Sequence, residues 1–144
     1  MEKIRSLISQ IAQAVYDSVP VEDDVDFRFY VAALRKFMAM QAWYTNEAGA
    51  EISFDPKASG VELVPLVMEL RDAQYRASPG QGAWFAAELK VAADGTMTSA
   101  FEYDKLPDFG YMPSDDKFVD DLAHYPRDNA TYPAWLKEIV DRGA

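Results

Sequence analysis

The chain of 144 residues has the usual length of one domain, and its 49% hydrophobic and 26% charged residues exclude a disordered chain. It contains no cysteine, which excludes disulfides, thiolate nucleophiles and cysteine-ligated metal sites. Its 24 acidic and 14 basic residues give a formal net charge of -10, which disfavours binding to nucleic acids or anionic membranes and favours basic partners. We therefore expect a single domain over residues 1–144.

The first segment is amphipathic. Apolar residues recur there at three- and four-residue spacing, at Ile4, Leu7, Ile8, Ile11 and Val15. This pattern predicts a helix that ends by about Ser18, because Pro20 disfavours helical backbone at the residue before it. Neither this segment nor any other has the apolar run of a signal peptide or a membrane span, so we expect a cytoplasmic protein that does not bind membranes.

The stretch from residue 26 to residue 54 fits two kinds of structure. The Ala, Leu and Met residues between Val31 and Tyr44 would suit a helix. However, side chains alternate in two runs that begin at Phe27 and Phe37, and turn residues from Asn46 precede a third short run. We interpret the stretch as three strands.

A second helix is predicted after Ser59. Ser59 and Glu62 have the spacing of a capping box, and an apolar face follows from Val64 onwards. Pro65 fits best in the first turn of a helix, so the regular helix can begin near Val64. Pro79 and Gly80 end it.

Residues 84–103 carry the strongest hairpin signal. A two-residue loop at Asp94 and Gly95 would place apolar residues opposite polar ones. A three-residue loop from Ala93 to Gly95 instead places the large apolar side chains on one face. This register pairs Val91 with Met97, Ala87 with Phe101 and Phe85 with Tyr103. We therefore predict a bulged turn with Gly95 in the left-handed conformation.

Two short helices are predicted after a proline-containing loop at residues 104–113. Ser114 can cap the first of them, and Pro133 begins the second, which runs to Asp141. The order of elements is helix, strands, helix, hairpin and helices. It predicts an α+β fold, an antiparallel β-sheet with N-terminal, central and C-terminal helices packed mainly on one side.

The sequence gives little support for catalysis. The one histidine, His124, lies at a predicted helix end where its charge suits the helix dipole, and no P-loop, dinucleotide-binding or zinc-protease motif occurs. Paired carboxylates at residues 23–24, 115–116 and 120–121 are more typical of a solvated acidic face than of a metal or catalytic site. We predict a protein that is not an enzyme and has no cofactor or metal. A small carboxylate-based or metal-dependent enzyme is the alternative.

Residues 102–128 form the best candidate for a partner-binding surface, because acidic residues outnumber basic ones there and aromatic residues lie among them. In such a surface the acids steer a basic partner and the aromatics anchor it. Packing of these aromatics onto the sheet is the other interpretation. The predicted contact residues are Asp104, Asp108, Phe109, Tyr111, Asp115, Asp116, Asp120 and Asp121.

Four local strings resemble those of the YezG-like immunity proteins, small bacterial antitoxins of polymorphic toxin systems. They are the opening helix from Ile4 to Val15, Val67-Met68-Glu69-Leu70-Arg71, Phe101-Glu102-Tyr103-Asp104, and the segment from Tyr125-Pro126-Arg127 to Trp135-Leu136. The resemblance implies a non-enzymatic protein that binds the toxic C-terminal domain of a cognate toxin, often a nuclease, and holds it inactive. A basic nuclease surface would suit the acidic residues described above. A scaffold or homodimer component without a toxin is a further alternative.

Overall fold

The structure is a computed structural model that describes residues 2–143. Its strands are β1 (Phe27–Leu34), β2 (Phe37–Thr45), β3 (Glu51–Phe54), β4 (Ala86–Val91) and β5 (Met97–Glu102). They form one antiparallel sheet in the order β3-β2-β1-β4-β5. The helices that flank it are α1 (Glu2–Tyr16), α2 (Leu63–Ala77), α3 (Asp115–His124) and α4 (Ala134–Gly143). The predicted α+β class is confirmed. None of the helices within residues 2–143 is both long and apolar enough to cross a membrane.

Helices α1 and α2 pack on one face of the sheet. The buried side chains of α1 recur at helical spacing, as the sequence predicted, and they are Leu7, Ile11, Ala14 and Val15. These side chains and those of α2 form a cluster with alternate residues of β1, namely Phe27, Phe29, Val31 and Ala33. This cluster is the larger of the two cores.

Helices α3 and α4 pack against the other set of alternate β1 side chains. Ala32 and Leu34 lie in a second cluster with Phe118 of α3 and with Leu136 and Ile139 of α4. Because successive strand residues point to opposite faces, this second cluster lies on the other side of the sheet. The helices are therefore divided two and two between the faces, a more even distribution than the sequence predicted.

The three strands predicted between residues 26 and 54 are confirmed, and the alternative helix is not formed. β1 and β2 are joined by a two-residue turn at Arg35 and Lys36, with Leu34 opposite Phe37. Side chains of both parities in β1 enter core clusters, which explains why β1 is almost continuously hydrophobic.

The β4–β5 hairpin has the predicted register through the strands. Val91 pairs with Met97, and Ala87 pairs with Phe101. Gly95 has a φ of 90°, the left-handed conformation that the three-residue loop requires. The alternation of apolar side chains was therefore sufficient to choose between the two loop lengths.

The predicted pairing of Phe85 with Tyr103 is wrong. The Phe85 N–H donates to the carbonyl oxygen of Glu102 at 2.8 Å, and Glu102 also pairs with Ala86. Two residues opposite one form a β-bulge, which turns the chain locally. As a result Phe85 lies in the second cluster and Trp84 lies in the first.

The capping box predicted at Ser59 is also not formed. Helix α2 begins at Leu63, and Glu62 occupies the N-cap position without a side-chain hydrogen bond. The Ser59 hydroxyl donates instead to the carbonyl oxygen of Ala14, near the end of α1. Ser114 does occupy the N-cap position of α3, as predicted, although its side chain accepts no capping hydrogen bond.

The substitution Phe118→Ala should strongly destabilise the fold. Phe118 is fully buried and lies edge-on to Phe109 and Trp135, at 5.7 and 6.0 Å between ring centroids. Removing the ring leaves a cavity, so we expect the free energy of unfolding to fall by about 3–5 kcal/mol, as measured by urea unfolding. Ala123→Ser, at an exposed position of the same helix, is the control and should change it by less than about 0.5 kcal/mol. Equal losses in the two variants would contradict the placement of α3.

Candidate protein-binding surface

The loop of residues 103–114 crosses the second face of the sheet between β5 and α3. Near its start, the carbonyl oxygen of Asp104 accepts a hydrogen bond from Trp135 Nε1 at 2.7 Å. Further along, the Asp108 N–H donates to the hydroxyl oxygen of Tyr30 in β1 at 2.9 Å. The loop then reaches β2, where Phe109 packs edge-on against Phe37. These contacts fix its path from one side of the sheet to the other.

The two aromatic residues predicted as anchors have different environments. Phe109 is only 3% exposed and packs between Phe37 and Phe118, so it belongs to the second core cluster. Tyr111 is 74% exposed, with its ring edge-on to Phe37 at 5.4 Å between centroids. Tyr111 is therefore accessible to a partner, and Phe109 supports the loop from below.

Asp121 lies in the interior, 1% exposed. Its carboxylate accepts two hydrogen bonds from the guanidinium group of Arg71, at 2.6 and 2.9 Å, and one from the Arg35 N–H at 2.7 Å. The Arg71 Nε donates to the carbonyl oxygen of Trp84 at 2.7 Å. Asp121 thus joins α3 to α2 and to the β1–β2 turn, and it is not part of the exposed surface.

Most of the other predicted acids form ion pairs within the chain. The shortest N···O distances are 3.0 Å for Asp104 with Arg127, 3.1 Å for Asp115 with Arg142, 3.1 Å for Asp120 with Arg35 and 3.9 Å for Asp116 with Lys117. Hydrogen bonds from Arg35 lower the pKa of Asp120, and a hydrogen bond with Ser114 lowers the pKa of Asp116. The cations paired with these four acids offset much of their negative field.

We define the loop–α3 surface as Asp108, Tyr111, Met112 and Asp116, which are all exposed. Asp108 accepts a hydrogen bond from the Gly110 N–H at 2.9 Å, which holds the turn that presents Tyr111. Met112 beside Tyr111 is 51% exposed. The surface therefore combines an exposed aromatic and an exposed aliphatic side chain with two exposed carboxylates.

The largest run of unmatched negative charge lies elsewhere, between α1 and β1. Residues 17–26 contain only acidic charged residues, and these are Asp17, Glu22, Asp23, Asp24 and Asp26. We call residues 17–26 the acidic connection. A groove of about 450 Å³ beside it is lined by Val21, Asp23, Val25, Tyr44, Asn46, Glu47 and Ala48. The sequence shows these acids clearly, but the prediction placed the partner contact at residues 104–121.

The half of the second sheet face that α3 and α4 leave uncovered was not predicted as a site. Its side chains lie beside Tyr30, which packs against the second cluster, and they are Arg28, Gln41, Trp43, Glu88 and Lys90. The Arg28 guanidinium carbon lies 3.7 Å from the centroid of the Trp43 ring, and Arg28 also pairs with Glu51 and Glu88. The sequence could have indicated this open sheet face, because Gln41 and Trp43 are two positions apart in β2 and therefore point to the same face.

The structure offers no constellation typical of a metal enzyme within residues 2–143. No group of three or more His, Cys, Asp or Glu side chains in that range is placed to hold a metal ion. His124 is exposed at the end of α3 and lies edge-on to Tyr125, at 4.6 Å between ring centroids. This position agrees with the helix-end location that the sequence predicted.

Comparison with known proteins gives no family assignment. No protein-family model matches the chain, and no curated protein matches it significantly.

The substitution Asp121→Asn should act on stability. It leaves the Arg71 guanidinium buried without a counter-charge, so we expect the free energy of unfolding to fall by about 3–5 kcal/mol in urea unfolding. The double variant Arg71→Met/Asp121→Leu removes both charges and should recover much of that loss. If the Asp121→Asn protein is stable but binds the partner more weakly, Asp121 acts in the contact surface and not in the interior.

Proposed function

We propose that this chain is an immunity protein that binds the toxic domain of a cognate bacterial toxin and holds it inactive in the cytoplasm. The observation that carries the proposal is the exposed Tyr111, held on Phe37 in a segment whose other exposed residues include Asp108 and Asp116. A rigid aromatic side chain among exposed polar groups is typical of an interface anchor. The sequence resemblance to YezG-like immunity proteins supports the same function.

In this proposal the two acidic regions have different roles. The acidic connection at residues 17–26 contributes to the net charge of -10 and attracts a basic domain over a distance set by the ionic strength. The loop–α3 surface makes the close contact, in which Tyr111 enters a pocket of the partner. No residue of the chain reacts, because a nuclease is inactive once its phosphate-binding surface is covered.

Substitution at the centre of the loop–α3 surface should weaken the complex. We expect Tyr111→Ala to lower the affinity for the toxin domain encoded immediately upstream by about 10- to 30-fold, mainly through faster dissociation. Adding Asp108→Lys and Asp116→Lys should abolish rescue of cells that express the toxin domain. Surface plasmon resonance and a co-expression survival assay measure the two effects, with circular dichroism to show that the fold is retained.

The matched control is charge reversal in the acidic connection. Asp23→Lys/Asp24→Lys changes the net charge as much as Asp108→Lys/Asp116→Lys does, but should mainly slow association, and this effect should fade at high salt. Unchanged affinity in the folded Tyr111→Ala variant would show that the loop–α3 surface is not the contact. Failure of the wild-type chain to bind or neutralise an active upstream toxin domain would contradict the immunity function itself.

A further inference from the structure

The outer edge of β5 has no partner within residues 2–143. β5 is the last strand in the sheet order, and residues 97–100 are exposed. At the hairpin end, the Ala92 N–H donates to the carbonyl oxygen of Thr96 at 2.8 Å. From there, every second residue of β5, namely Thr98, Ala100 and Glu102, directs its backbone N–H and C=O groups towards β4. The backbone groups of Met97, Ser99 and Phe101 therefore point outward.

β5 lacks the features by which proteins usually protect such an edge. From Met97 to Phe101 it contains no charged residue and no proline. The other outer strand, β3, has only four residues, begins at Glu51 and is followed by Asp55 and Pro56. The two edges of the sheet therefore differ in their protection. Of the two outer strands, β5 is the longer, and its exposed backbone groups are not flanked by charged side chains from Met97 to Phe101.

We propose that β5 pairs with β5 of a second copy of this chain, across a two-fold axis at Ser99. In an antiparallel pair centred there, Ser99 lies opposite Ser99 of the other copy, and Met97 lies opposite Phe101. The outward backbone groups of all three residues then face each other, so each can form hydrogen bonds. The two five-stranded sheets become one continuous sheet of ten strands.

The side chains and charges of this register are self-complementary. Met97 and Phe101 share a face of β5 and form an apolar pair across the axis, while Thr98 lies opposite Ala100. The neutral strand brings no like charges into direct opposition, which matters in a chain with a net charge of -10. This favours a second copy at β5 over contact through any of the acidic surfaces.

Repulsion remains at the ends of the paired strands. The same register directs the hairpin turn at Asp94 towards Asp104 of the other copy, and Arg127 already pairs with Asp104 at 3.0 Å. Screening of the remaining charge should strengthen the dimer as salt rises, because the Debye length falls from about 10 Å at 0.1 M to about 3 Å at 1 M. Binding of a basic toxin domain should show the opposite salt dependence.

Single cysteines test the register cleanly, because the chain has none of its own. Ser99→Cys places two thiols opposite each other, with Cα atoms about 5.5 Å apart, within the range of a disulfide. Met97→Cys is the matched control on the same face, since its two copies would be about 14 Å apart along the strands. Under mild oxidation we expect Ser99→Cys to form a disulfide-linked dimer and Met97→Cys to stay unlinked.

Light scattering on the wild-type chain completes the test. The mass should rise from 16.2 kDa towards twice that value with concentration and with salt. Ser99→Pro removes an outward N–H without touching the bonds to β4, so it should shift the chain to the monomer. A wild-type monomer at every concentration, or equal cross-linking of the two cysteine variants, would overturn the proposal. Toxin neutralisation does not enter these measurements, so the dimer and the immunity function can fail separately.

Discussion

The buried ion pair between Arg71 and Asp121 is the contact on which the arrangement of the helices depends. It joins α2, which covers one face of the sheet, to α3, which covers the other, and it also holds the Arg35 backbone and the carbonyl oxygen of Trp84. All buried polar side-chain atoms described by the structure have hydrogen-bond partners. Two charges removed from water are tolerated only with such complete pairing, so the position of α3 relative to the sheet is specified by polar geometry as well as by apolar packing.

The sequence predicted most of the fold because local patterns decide it. The alternation that sets the β4–β5 register and the helical spacing in α1 each depend on neighbouring residues. The bulge at Phe85 and the replacement of the capping box at Ser59 depend on contacts with distant segments, which a local pattern does not contain. The class of each element was therefore predictable, while the exact position of some turns and caps was not.

The candidate site was harder to predict for a related reason. An acidic residue looks the same in sequence whether it is exposed or paired, and Asp121 finds its partner in a helix 50 residues away. The adjacent Asp120, by contrast, pairs near the surface with Arg35. Aromatic residues pose the same difficulty, since Phe109 and Tyr111 are two positions apart and have opposite burial. Counting acidic residues in the sequence therefore overestimates the negative charge at residues 104–121 that is not paired with a cation of the same chain.

The loop over the second sheet face alternates between fixed and free positions. Pro107, Phe109 and Pro113 are buried, while Asp108, Tyr111 and the residues beside it are exposed. The buried positions hold the backbone, so the exposed ones can be exchanged without disturbing the core. Such a loop can change its surface chemistry by a few substitutions while the sheet beneath it stays the same. The scaffold is therefore suited to diversification, both in evolution and in a designed library restricted to these exposed positions.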